Sequence, residues 1–338
     1  MRRRQLWSPC PLPSAPLALL LAFLPACGER DAAAAAALVP CLAATSDYLP
    51  IAPADEFPQG GRWLCATFRL GPGESGKVLT HVWTAVDVGD QAPPNHEIAR
   101  GDLDLLERAR GRLTYSQDVP LPAGTYRLDV AIDGRPWRSA RLRVVPDPAL
   151  PALASARELV PLVEGVHWEY GFESTPAGGA AARHAVRVEV GKDSADGTHL
   201  RFLRDGVLVH EEWWRAGAEG VSATRRRTGD GKEHVLEPPQ LLLPFPAGPL
   251  RRWSYTSRDG SIRQECVAFG PRPVRGPEGE APGYVVVILD RSGPEVVSSE
   301  RHFLPRFGLV REEIVHTRGG GRVLLQTMQV RPADGTTR

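Results

Sequence analysis

LVPLVEGVHWEYGFES (Leu159–Ser174) and LLPFPAGPLRRWSYTS (Leu242–Ser257) are two versions of one segment. Each sets a leucine pair about a proline, then a glycine, then Trp-x-Tyr and a serine. Trp168 and Trp253 stand 85 positions apart, as do Tyr170 and Tyr255. The likeness continues downstream: EEWWRAGAEGVSATR (Glu211–Arg225) parallels SERHFLPRFGLVREE (Ser299–Glu313), matching Trp214 to Phe303 and Val221 to Val310. A duplicated domain over 159–332 is expected, with the longer spacing of the second copy taken up by a Pro/Gly loop, Gly270–Gly283.

The spacing within these segments predicts strands. Val186, Val188 and Val190 alternate, Tyr284–Leu289 is a continuous apolar run, and helical periodicity is absent. Asp205-Gly206 and Asp259-Gly260 carry hairpin-turn chemistry. Gly319-Gly320-Gly321, between two apolar runs, reads as a hairpin turn and not a phosphate cradle. Residues 59–147 repeat the pattern on a smaller scale. Arg62–Leu70, Val78–Val88 and Leu113–Ser116 read as strands, then Tyr126, Leu128, Val130 and Ile132 alternate into Asp133-Gly134 and Trp137–Val145 returns. Pro146, Pro148 and Pro151 mark a boundary, and 148–158 reads as a linker. The fold class expected is all-β: a small sandwich followed by a larger curved antiparallel sheet.

The N-terminus carries an address. Arg2-Arg3-Arg4 precedes an apolar run from Pro16 to Pro25, which ends in Leu24-Pro25-Ala26-Cys27. A basic start, a short apolar stretch and a small residue before the cut describe a secretory leader. LPAC resembles the lipobox of bacterial lipoproteins. That resemblance implies a signal over 1–26 and diacylglyceryl and palmitate-type acylation of Cys27. Gly28, where some bacteria place an inner-membrane retention Asp, favours the outer membrane. Residues 27–58, with Ala32–Ala37 and Pro40, Pro50, Pro53 and Pro58, read as an Ala/Pro tether, and 333–338 as a disordered tail.

Composition excludes some partners. Lys and Arg number 41 against 40 for Asp and Glu. Removing the three leader arginines leaves a mature chain two charges negative, with no footprint for nucleic acid. Arg225-Arg226-Arg227 is the only basic cluster and reads as a solvated loop. Three cysteines remain after Cys27: Cys41 and Cys65 are the expected disulfide, and Cys266 a buried apolar residue. No cofactor or metal is expected. His210-Glu211-Glu212 comes closest to a metal cluster, but in a strand His210 and Glu212 share a face that Glu211 does not. His81, Asp87 and Ser116 have no spacing that argues for a triad.

Trp-x-Tyr puts both rings on one strand face, where each buries about 150–250 Å². They form either core or an aromatic groove lined by Trp168, Tyr170, Trp213, Trp214, Trp253 and Tyr255. Residues 62–146, ending in PAGTYRLDVAIDG, resemble bacterial immunoglobulin-like modules. Residues 159–332 resemble a group of uncharacterised envelope lipoproteins through Pro161, Leu162, Gly165, Trp168 and Tyr170, then Phe303, Gly308, Leu309 and Val310. The latter resemblance implies a curved sheet distantly like the half-barrels of LolA-type lipoprotein carriers, and transfers no catalytic residue. The functional expectation is a lipid-anchored envelope protein, not an enzyme, that binds a protein or glycan partner. The alternatives are a carrier of an apolar ligand and a hydrolase of unrecognised type.

Overall fold

The structure, a computed structural model, describes residues 36–331 apart from Ser46, Pro72, Ser75, Lys77, 106–108, 148–152, Ala154, Ala247, Pro249 and 319–320. The leader, Cys27 and the tail 333–338 lie outside the described residues.

The first body has nine strands: β1 (Ala37–Ala44), β2 (Pro50–Pro53), β3 (Glu56–Pro58), β4 (Trp63–Arg69), β5 (Val78–Asp87), β6 (His96–Asp104), β7 (Arg110–Ser116), β8 (Gly124–Ile132) and β9 (Arg135–Val145). They form two sheets, ordered β2-β1-β4-β7 and β3-β9-β8-β5-β6. Alternation decides the facing. Tyr126, Leu128 and Val130 turn into a shared core with Leu64, Phe68 and Trp83, while Arg127 and Asp129 pair outside at 2.7 Å. Asp133 and Gly134 take φ of 47° and 75°, the left-handed pair that a two-residue hairpin demands.

Residues 37–58 correct the expected tether. Pro50, Pro53 and Pro58 stand at strand ends and Pro40 within β1: β1 pairs with both β2 and β4, and β3 lies parallel to β9. Leu42, Ile51 and Phe57 are buried in the core, so the sandwich needs this segment. The strand β6 (HEIARGDLD) was also not expected. It is an edge strand with mostly exposed side chains, so it lacks an apolar alternation to read.

The second body is a meander of twelve antiparallel strands: β10 (His167–Pro176), β11 (Ala182–Ser194), β12 (Gly197–Arg204), β13 (Val207–Gly217), β14 (Gly220–Thr228), β15 (Glu233–Pro244), β16 (Leu250–Thr256), β17 (Arg263–Gly276), β18 (Gly279–Asp290), β19 (Val296–Leu304), β20 (Gly308–Arg318) and β21 (Gly321–Val330). The order is β15-β14-β13-β12-β11-β10-β21-β20-β19-β18-β17-β16. It splits into two six-stranded halves, β10–β15 and β16–β21, joined by the β10–β21 ladder. The sequence repeat maps onto these halves. Trp-x-Tyr lies in the first strand of each, Trp214 and Phe303 in the fourth, and Val221 and Val310 in the fifth.

The sheet curls until β15 and β16 nearly meet. Arg258 N–H reaches Glu237 O at 2.8 Å, and Trp253 Nε1 donates to Leu241 O at 3.2 Å, but no ladder forms. Pro238, Pro239 and Pro244 in β15 have no N–H to donate, which leaves the seam open. The expected loop Gly270–Gly283 is also corrected: β17 and β18 continue pairing through Arg272↔Gly283 to Gly276↔Gly279.

The apolar run in β18 has a direct cause. Val286 and Ile288 face the lumen, while Val285 and Val287 join Val267 and Phe269 of β17 against the sandwich core. A strand covered on both faces loses its polar alternation. Arg252 of β16 completes the contact, lying 4.7 Å over the Trp63 ring and donating to Leu42 O at 3.1 Å, and Arg291 pairs with Asp47 at 2.5 Å.

Candidate functional site

A sheet of twelve strands encloses more space than side chains alone fill comfortably. Here the chain supplies a stopper. A 3-10 turn at Ala156–Glu158, the end of the expected linker, leads the Leu-Pro motif into one end of the barrel, and Leu159, Val160 and Leu162 are buried in its core. Arg306 N–H donates to Glu158 O at 2.7 Å. Gly308, the glycine before Leu309 and Val310, takes φ of 77° and lies against Pro161, Val160 and Trp168. This explains both ends of the sequence motif: one is the stopper, the other the turn that receives it.

Above the stopper the aromatics divide. Tyr170, Trp214 and Tyr255 are buried on the inner face, and Tyr170 OH donates to Leu309 O at 2.8 Å. Burial pushes the Tyr170 and Tyr255 phenols above their ordinary range. Trp168 is half-buried beside Val160 and Tyr170, and Trp253 is half-buried at the seam. Trp213 does not belong to the groove expected from sequence. It lies on the outer face, stacked on His199 at 4.6 Å with Arg225 and Arg227 over its ring. Strand alternation sends Trp213 and Trp214 opposite ways.

The same alternation separates the carboxylates beside them. Glu211 turns outward to His199 (2.8 Å) and Arg227 (2.5 Å). Glu212 turns inward, where it accepts from His210 Nε2 (2.9 Å), Arg226 Nε (2.7 Å) and Trp214 Nε1. Burial by itself would raise the Glu212 pKa, but Arg226 and the hydrogen bonds from His210 and Trp214 outweigh it and hold the carboxyl well below its usual range. The second half also holds an inward carboxylate, Glu312, which accepts from Ser299 Oγ and Arg301 Nε, both at 2.8 Å. Among the described residues, no three His, Cys, Asp or Glu side chains gather as a metal site. Arg225, Arg226 and Arg227, expected in a solvated loop, lie in β14, all three in ion pairs.

At the end opposite the stopper the inner face is not filled. A recess of about 560 Å³, counting its open mouth, is walled by Phe172, Val186, Phe202, Val209, Ile314 and Met328. Arg204 stands at its rim and Glu312 at its floor, and Gln326 Oε1 is buried there without a donor. Sequence reading named Val186 only for its strand alternation and marked none of these residues as a site. Only the shared inward register of β10–β13 with β20 and β21 brings them together.

Cys41 and Cys65 face each other across β1 and β4 as buried thiols, their sulfurs 3.8 Å apart. Burial pushes the Cys266 thiol up to about 12, in keeping with a core position. His81 and Asp87 lie on β5 and Ser116 on β7 of the facing sheet, and the Asp87 carboxylate accepts from its own loop at Gly89 N–H.

No family model matches the chain, and no curated protein does so. Among solved structures, 50% of the chain is similar to 96% of a protein of Parabacteroides distasonis provisionally named a lipoprotein, at 12% identity and a TM-score of 0.25. A further 49% match covers 95% of a Bacteroides fragilis protein, provisionally named an exported protein with a YmcC-like fold, at 10% identity and a TM-score of 0.23.

Proposed function

We propose that this chain is an exported protein held at the bacterial outer membrane by acyl groups on Cys27, with a non-catalytic role: its sandwich and barrel bind a partner in the cell envelope. The observation that carries the reading is the packed lumen. Stopper residues Leu159, Val160 and Leu162 and the rings of Tyr170 and Trp214 occupy the space that a large cargo would need. The interior charges are tied to one another in Glu212–Arg226 and Arg301–Glu312. The exterior is charged as well. Arg187 with Glu169 and Glu189, Arg201 with Glu189, and Arg183 with Glu173 cover β10–β12. That surface suits water, not the lipid-facing band of a membrane barrel. The first body is read as an immunoglobulin-like module, supported by the hydrogen bond from Tyr126 OH to Pro122 O (2.8 Å) near the start of β8.

Two measurements test this reading. Cys27→Ala is expected to abolish lipid labelling and release the chain to the soluble fraction; a variant that stays membrane-bound and labelled removes the anchor. Native mass spectrometry of the purified chain is expected to show no diacyl lipid carried in the barrel. Stoichiometric co-purification of one would replace the partner-binding reading with the carrier.

A further inference from the structure

We propose that the open recess at the unstoppered end of the barrel is a binding site for a single-chain anionic amphiphile: an acyl tail in the recess and an acidic head at Arg204. The proposal goes beyond the partner-binding reading and stands or falls separately from it.

The walls set the tail. Phe172, Val186, Phe202, Val209, Ile314 and Met328 come from six adjacent strands and present carbon to one concavity. Its lining has the character of small-ligand sites, which are mostly apolar with a few placed polar groups. Directly after the Asp205-Gly206 turn, Val207, the cross-strand partner of Arg204, is 66% exposed.

The rim sets the head. Arg204 has no ion-pair partner among the described residues, although arginines elsewhere on this barrel are extensively paired. Its chain neighbour Asp205 also feels the Arg204 charge, but its carboxylate accepts from Ala185 N–H (2.9 Å) and meets His184 Nδ1 (2.7 Å). At the floor Glu312 is already satisfied by Arg301 and Ser299, so the free charge at the mouth is positive. A guanidinium beside an apolar slot matches a carboxylate or phosphate head. Gln326 Oε1 remains as a buried acceptor without a donor, a place for a ligand hydroxyl or a water.

Calorimetric titration of the full chain carrying Cys27→Ala with octanoate, nonanoate and decanoate, below self-association, tests the site. Saturable one-to-one binding is expected, tightening about fourfold per added methylene. Arg204→Gln is expected to weaken decanoate about tenfold while leaving decanol unchanged, and Val209→Trp to abolish both. Ile314→Phe fills the recess from the opposite wall and serves if Val209→Trp fails to fold. Absence of saturable binding overturns the proposal, as does decanoate affinity indifferent to chain length, to Arg204→Gln or to both filling variants. A parallel arm uses monoacyl lysophosphatidylglycerol below self-association. Recess-dependent binding of it identifies the amphiphile as a membrane-derived lipid, and decanoate binding without it identifies a free acid.

Discussion

Glu212 and Arg301 occupy equivalent places in the two halves of the barrel and carry opposite charges. Each lies in the fourth strand of its half, two residues before the matched Trp214 or Phe303. Each pairs with its cross-strand neighbour in the fifth strand, Glu212 with Arg226 and Arg301 with Glu312. The halves thus keep one buried ion pair at one place but reverse its sense. An isolated buried charge is strongly disfavoured, so conversion of a position requires conversion of its partner.

Removing one member of such a pair leaves the other buried and uncompensated. Arg301→Met is expected to destabilise the barrel by about 3–5 kcal/mol, and Arg301→Met with Glu312→Leu to recover most of that loss. Urea unfolding of the two single variants and the double variant checks this. Additive losses in the double variant would show that the pair is not coupled.

The Glu212 carboxyl titrates below its ordinary range when folded and near 4.3 when unfolded, on the order of an unperturbed glutamate. Its folded pKa is depressed, so its stabilisation is complete above the unfolded value and is lost as pH falls toward the folded one. Unfolding midpoints are therefore expected to drop from pH 5 to pH 3. In Glu212→Gln the chain is less stable at pH 7 and this part of the slope is flattened. An unchanged slope would contradict the assignment.

The proposed export would place Cys41 and Cys65 in an oxidising compartment, and their buried sulfurs already face each other across β1 and β4. Non-reducing peptide mapping of the exported protein is expected to find them joined. Closing this loop contributes about 3 kcal/mol, which a reductant should remove from the unfolding free energy. Two free thiols in exported material would refute the bond.

The segment 37–58 is structural. A mature chain shortened to begin at residue 59 loses β1, β2 and β3 with Leu42, Ile51 and Phe57, and is expected to lose near-ultraviolet dichroism from the sandwich. Within the stopper, Leu159→Ala removes a wholly buried side chain and is expected to destabilise by about 2–5 kcal/mol. A shift in thermal midpoint of less than a degree would mean that the stopper packs loosely.

Much of the fold was legible because strand chemistry is local. Alternation at Tyr126, Leu128 and Val130, the turns at Asp133-Gly134 and Asp205-Gly206, and the Trp-x-Tyr repeat each state a period or a dihedral within a few residues. The repeat went further, matching first, fourth and fifth strands of two halves. The misreadings have one cause. Proline in 37–58 and glycine in Gly270–Gly283 mark strand ends and bends as readily as tethers and loops, and only pairing partners distinguish these.

The amino-acid sequence by itself pointed to β structure across the described residues and to Trp168, Tyr170, Trp253 and Tyr255 as the heads of two matching segments. These follow from side-chain period and turn residues, which act at short range. Only the tertiary structure decided that Leu159, Val160 and Leu162 stopper the barrel, that Glu212 and Arg301 are counterparts, and that Phe172, Phe202, Arg204 and Ile314 meet at its open end. Those residues are brought together by sheet order and curvature, which depend on contacts between strands far apart in the chain.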